Sequence, residues 1–272
     1  MNSAMHDVAS GRAMLATEVV GCGTPVVFLH AGVCDSRMWR VQLDSLGANH
    51  QAIAYDRRGF GKTRAEPEDY SAVEDLKVVI DAVAGIAPVI LVGCSQGGGV
   101  ALDMALRYPS YVRALILISS NVSGAPAPSY SPAIETLVTQ RQLAQKAGDL
   151  TKINLIQARI LLDGPLQSEG RVKGFARDLF LAMNDVVLRS APVGANLDNE
   201  HAFQCLNEIM TPSFVLWGEY DFPHIQVRSH HLMATLPNAS GKMLRGVAHI
   251  PSLEQPEAMT NLIIEFIGRL VS

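Results

Sequence analysis

Val89-Ile90-Leu91-Val92-Gly93-Cys94-Ser95-Gln96-Gly97-Gly98-Gly99 is the stretch on which the fold turns. The apolar residues after Pro88 read as a fully buried strand, and from Val100 the pattern ALDMALRY spaces apolar residues as a helix does. Ser95 therefore stands where strand becomes helix. Within Gly93-Cys94-Ser95-Gln96-Gly97, glycines two before and two after the serine remove side chains that would collide as the chain reverses. The hydroxyl then projects above the sheet, and the amide of Gln96 points toward any oxyanion formed there. Gly-rich strand-to-helix turns can also cradle phosphate, but this one has neither G-x-G-x-x-G nor G-K-[ST].

Upstream, Met14 to Val20 is a β-type run, paired with a short segment near Val8 through Gly11. Val26 to Leu29 is a buried strand that delivers the loop His30-Ala31-Gly32-Val33 to its carboxyl end. Ser36 to Leu46 has helical offsets, Gln51 to Tyr55 is a strand, and Tyr70 to Ala84 is a helix with one apolar face. Val112 to Ile118 is the strand after the elbow helix. Strand alternates with helix and the strands lack polar alternation. That pattern implies an α/β fold with a mostly parallel, doubly wound sheet covered on both faces. Around Asn121 the rhythm breaks: SSNVSGAPAPSYSP is a linker, and about 75 residues without a convincing strand follow. Helical periodicity there covers Ile134 to Ala147, Leu150 to Leu162 and Val172 to Leu188. From Ser213 the alternation resumes with the strand FVLWG, a helix over Val227 to Leu236, the strand Lys242 to Leu244 and a helix from Pro256 to Leu270. The expected organisation is a core of 1–121 and 206–272, with an all-helical cap inserted at 122–205.

With 272 residues, 48% hydrophobic and 18% charged, the chain has the composition of a globular protein with a sizeable core. Its net charge of −4, with no basic cluster, argues against nucleic acid as a partner. Cys22, Cys34, Cys94 and Cys205 lack C-x-x-C spacing, so they read as free thiols in a reducing compartment rather than a metal site. The start MNSAMHDVASGR is no charged leader with an apolar stretch, and no run is long enough to span a membrane. The expectation is a cytoplasmic protein that acts on a small molecule, with no membrane partner, metal or other cofactor.

A serine hydroxyl needs a general base, itself held by an acid, and in an open α/β sheet both should come from loops at strand carboxyl ends. The loop Gly218-Glu219-Tyr220-Asp221 after FVLWG offers Asp221, with Glu219 as its competitor. Gly246-Val247-Ala248-His249 offers His249. His224, His230 and His231 fall at or within the helix after Asp221, and His6, His50 and His201 have no strand-end setting. The order Ser95, Asp221, His249 is the one expected for such an elbow. For the oxyanion, one donor is the Gln96 amide; the second comes from the loop after Val26 to Leu29, at Gly32 or, one residue on, at Val33. His30 is read as holding that turn. In Asp56-Arg57-Arg58-Gly59-Phe60-Gly61 the arginines are read as pairing with local carboxylates and backbone.

The set FLHAGVCDSRMW, YDRRGFGKT, VGCSQGGGVAL, LWGEYD and GVAHIPSLEQPE resembles the α/β-hydrolase fold superfamily, among its small single-chain enzymes with a helical cap. The resemblance covers Val26 to Ser120 and Ser213 to Leu270. It implies a Ser95 nucleophile, a His249 base, an Asp221 acid and an oxyanion hole from the Gly32 and Gln96 amides. Where that family has His-Gly, this chain has His30-Ala31, with the glycine one position later. The expected activity is serine hydrolysis of a small, largely apolar ester, lactone, enol-lactone or thioester through an acyl-enzyme. The alternatives are hydrolysis of a carbon–carbon bond in a diketone, and a receptor-like member that binds its ligand.

Overall fold

The computed structural model describes residues 3–85 and 88–270. β1 (Ser3–Ser10) and β2 (Ala13–Val20) form a hairpin in register from Ser3 opposite Val20 to Ser10 opposite Ala13. β1 is longer than its sequence suggests, because Val8 is its one buried side chain and an exposed edge strand carries no apolar alternation. There follow β3 (Pro25–Leu29), α1 (Arg40–Leu46), β4 (Gln51–Tyr55), the two-residue β5 (Arg64–Ala65), α2 (Ala72–Val83), β6 (Val89–Cys94), α3 (Gln96–Arg107) and β7 (Val112–Ile118). Between β7 and the next strand run α4 (Pro132–Lys146), α5 (Leu150–Gln157), α6 (Phe175–Arg189) and the single turn α7 (Ala202–Cys205). The chain closes with β8 (Ser213–Gly218), α8 (Pro223–Thr235), β9 (Ala239–Leu244), α9 (Pro251–Glu254) and α10 (Pro256–Arg269).

The strands lie in the order β1-β2-β4-β3-β6-β7-β8-β9, with β5 beside β2. β2 runs antiparallel to its neighbours, and from β4 to β9 every pairing is parallel. Alternate side chains of one strand enter different cores, as the two-residue period of a strand requires. Val27 and Leu29 pack with Leu76, Ile80 and Leu102 on one face, whereas Val26 and Phe28 pack with Trp39, Leu43 and Ile263 on the other. Parallel strands buried in this way place every carboxyl end, including that of β6, along one edge.

The helices between β7 and β8 meet the core in two ways. Ile134 and Ile156 form a small apolar cluster with Phe222 and Ile225 at the start of α8. Phe180 and Met183 of α6 instead join the core on the α1 side. Polar contacts add to this. Arg171 donates to the carbonyls of Leu162 (2.8 Å), Asp163 (2.7 Å) and Gly246 (2.8 Å), and to the carboxylate of Glu254. Glu254, almost fully buried, also accepts from the amide of Ala248 at 2.9 Å. One buried carboxylate thus ties the inserted segment to the loop after β9. Val122 and Ala202, at either end of that segment, pack in the core beneath α3.

The turn after β4 differs from its sequence reading at one of two arginines. Arg58 pairs with Asp75 and Glu68, as expected. Among the described residues Arg57 meets no carboxylate; it is buried, donates to the carbonyl of His30 at 2.8 Å and lies over the Phe60 ring at 4.9 Å. The cause is topological: β4 and β3 are neighbours, so the chain leaving β4 passes against the loop that leaves β3.

Two tests follow from this packing. A Cβ on Gly97 would lie 2.3 Å from the carbonyl oxygen of Leu29, and one on Gly99 no closer than 3.5 Å to any atom. Gly97→Ala should cost about 3 kcal/mol, lowering Tm by roughly 5–10 °C, while Gly99→Ala should stay within about 1 kcal/mol of wild type; equal effects in urea unfolding would contradict the close approach. Burial pushes the Glu254 carboxyl from an ordinary 4.5 up to about 7, against the donors Arg171 and Ala248. Between those values the folded chain binds more protons than the unfolded chain. Stability therefore falls as pH rises from 4.5 to about 7, then levels off. Glu254→Gln should remove a fall of about 3 kcal/mol across that window, and superimposable stability–pH curves for the two proteins would refute it.

Candidate active site

Ser95 sits between β6 and α3 with φ 52° and ψ −115°, a left-handed conformation that a side chain rarely adopts. Neighbouring backbone holds it there. Its amide donates to the Ile118 carbonyl of β7 at 2.9 Å, and its carbonyl accepts from Gly98 (3.0 Å), Gly99 (3.2 Å) and Asn121 (2.9 Å). A Cβ on Gly93 would lie 2.5 Å from the Gly97 carbonyl oxygen, so the tight reversal requires glycine there.

The other two expected side chains reach the same point. Ser95 Oγ lies 2.8 Å from His249 Nε2, and His249 Nδ1 lies 2.9 Å from each carboxylate oxygen of Asp221. A carboxylate facing Nδ1 places the ring proton there, leaving Nε2 to accept from the serine hydroxyl. Asp221 is buried and accepts a further bond from the Phe222 amide at 2.7 Å, which fixes its orientation. Its competitor Glu219 points elsewhere, accepting from the Gly246 amide at 2.9 Å. That contact and the bond from the Tyr220 amide to the Val247 carbonyl at 2.8 Å lace the two loops together. The insertion adds one more hold, since the His249 amide donates to Leu161 at 3.1 Å.

The loop after β3 lies against the start of α3. A Cβ on Gly32 would come 2.8 Å from Gln96 Oε1, so the two residues named as oxyanion donors are neighbours. Gln96 opens α3, so its amide has no acceptor within the helix. Gly32 lies in a turn closed by the Cys34 amide on the Ala31 carbonyl at 3.1 Å. His30 holds this loop: its Nδ1 donates to the Ala31 carbonyl at 2.8 Å and its Nε2 accepts from the Arg57 amide at 3.1 Å. Burial, with Arg57 adjacent, holds the His30 imidazole well below its ordinary pKa, so it is neutral.

A cavity of about 380 Å³ opens onto Ser95 and His249. Its walls come from α4, from the end of α5 and the wider π turn at Ala158–Leu162, and from α8. Val138, Ile160, Leu161, Phe222 and Ile225 make it apolar, and Arg141, His224 and Arg228 make it polar. Sequence reasoning set His224 aside as a residue at or within the helix after Asp221 and did not name Arg141 or Arg228. For His224 a signal existed, because Pro223 suits a first helical position and so places the start of α8 beside Asp221 rather than at Val227. Burial, reinforced by Arg228, pushes His224 down to about 4. Arg141 and Arg228 carried no signal, since an arginine on a helix is ordinarily solvated. Among the described residues no group of three His, Cys, Asp or Glu is placed to hold a metal ion, and no helix is long and apolar enough to cross a membrane.

A family model described as the alpha/beta hydrolase family matches residues 26–262. Monoacylglycerol lipase abhd6-B of Xenopus laevis is 25% identical over 272 residues, covering 91% of this chain and 76% of that protein. A 2-hydroxymuconate semialdehyde hydrolase of Pseudomonas sp. strain CF600 is 34% identical over 134 residues, 44% of this chain and 47% of its own. Among solved structures, a thermophilic esterase from Thermogutta terrifontis superposes with a TM-score of 0.79 at 22% identity, with 100% of both chains covered. At that identity the likeness is one of fold. With the family model running from β3 into α10, over most of its length, this chain belongs to the alpha/beta hydrolase family.

Proposed function

We propose that the protein is a serine hydrolase that cleaves a small acyl compound, an ester, lactone, enol-lactone or thioester, through an acyl-enzyme. The observation that carries this is the unbroken line of contacts from the Asp221 carboxylate through His249 to Ser95 Oγ, open to a cavity. Ser95 Oγ attacks the acyl carbon as its proton passes to His249 Nε2. The buried Asp221 carboxylate stabilises the imidazolium that results. Negative charge on the carbonyl oxygen is met by the Gln96 and Gly32 amides. The tetrahedral adduct then collapses, the leaving group takes the proton from His249, and water releases the acyl group by the same steps in reverse.

A second reading, hydrolysis of the carbon–carbon bond of a diketone, uses the same three side chains. It draws on the 34% identity to 2-hydroxymuconate semialdehyde hydrolase, which spans less than half of either chain. There the leaving group is a carbanion that must gain a proton, whereas an ester releases an alkoxide.

Ser95→Ala should lower kcat on p-nitrophenyl esters or simple lactones by about 10³-fold or more. An organophosphonate should add once to the wild type, at Ser95, and not to the variant, as read by intact mass and peptide mapping. Wild-type turnover by Ser95→Ala on every hydrolysed substrate would defeat the assignment. A dienoate diketone cleaved in preference to every ester and lactone would move the reading to carbon–carbon hydrolysis.

A further inference from the structure

We infer that the cavity beside Ser95 takes an acyl compound whose apolar chain ends in a carboxylate, and that Arg141 and Arg228 hold that carboxylate. The inference deepens the serine-hydrolase reading and rests on it for the direction of the chemistry. Both guanidinium groups line the same cavity as Ser95 and His249, and no Asp or Glu is among its lining residues. Elsewhere in the fold Arg58, Arg107, Arg171 and Arg177 each meet a carboxylate. Among the described residues these two, like Arg57, meet none. Arg228 donates to the amide oxygen of Asn121 at 2.8 Å, a neutral acceptor. Arg141 has no hydrogen bond or ion pair among the described residues, and its Nε is buried and unpartnered.

A guanidinium nitrogen buried without an acceptor, as Arg141 Nε is, carries a desolvation cost, and a carboxylate matches the guanidinium fork with two acceptor oxygens. Neighbouring groups do not supply the missing negative charge. His224 faces the same cavity from one turn before Arg228 on α8 and is neutral at ordinary pH. Asp221 lies behind His249 with both its oxygens engaged. The wall also carries an apolar stretch, with Val138, Ile160, Leu161 and Phe222, that suits an alkyl or alkenyl chain between the scissile carbonyl and the anionic end, and its further polar members Asn121 and Gln157 are neutral. Two cations beside an apolar stretch, in a chamber of about 380 Å³, fit a single carboxylate on a short chain.

The test compares mono-p-nitrophenyl adipate with p-nitrophenyl hexanoate, esters of equal chain length that differ in the terminal carboxylate. In wild type, kcat/KM should favour the adipate ester by about 10-fold or more. In Arg141→Gln and in Arg228→Gln that ratio should fall toward one. Equal or greater kcat/KM for the hexanoate ester, lost in Ser95→Ala, would overturn the anion site while leaving the serine-hydrolase reading intact. Should neither ester turn over, binding decides the anion site. Adipate must then raise the Tm of wild type more than sulfate does at equal ionic strength, and do so less in the double variant. No shift, or equal shifts with the two salts, would overturn the site.

Discussion

The architecture of the site depends on keeping one serine in a backbone conformation it would not choose. A non-glycine residue at φ 52° carries strain of order 1–3 kcal/mol, and it persists only where the surroundings over-determine it. Here both backbone polar groups of Ser95 are committed, the amide to β7 and the carbonyl to three amides that follow it. The side chain is what remains to turn outward. Three glycines at the start of α3 are poor helix formers, but the first of them lies where backbone from the β3 loop leaves no room for a methyl group. Local helix propensity gives way so that two loops can touch, and this contact brings Gly32 beside Gln96.

The sheet brings the rest to that point. Residues 95, 221 and 249 are far apart in the chain, yet each follows a strand whose carboxyl end lies on one edge, and β8 and β9 are direct neighbours. Hydrogen bonds between their loops then set the finer geometry, with Glu219 and Glu254 each accepting from an amide just before His249. Both acids act as struts for the loop, and only Asp221 addresses the imidazole. In the proposed role of base, His249 held in this way needs little reorganisation when a proton arrives.

What could be read from residues alone follows the same physics. Strands buried on both faces, such as β6 and β7, announce themselves as apolar runs, and the turns at their ends have few residue types to choose from. The turn at Ser95 and the strand-end positions of Asp221 and His249 were legible for that reason. β1 was only partly legible, because an exposed edge strand is held by ladder hydrogen bonds that leave no mark on side-chain pattern. Arg57 misled for a different reason: whether an arginine turns to solvent or inward depends on which strand lies next to its own. The sequence order β3, β4, β6 hides the spatial order β4-β3-β6.

The cavity shows the same limit in sharper form. The reacting atoms sit on loops whose positions are set by hydrogen-bond ladders, whereas the residues that would choose a substrate sit on helix faces. Arg141 belongs to α4, which reaches the core through a small apolar cluster with the start of α8. Arg228 belongs to α8, which packs directly on β8 and β9. The two guanidinium groups thus stand on different elements, one on a helix between β7 and β8 and one on a helix packed on the sheet. A carboxylate held by both would join these two elements within the cavity that Ser95 lines. On this reading, recognition of the substrate adds a contact between the segment that follows β7 and the helix that follows β8.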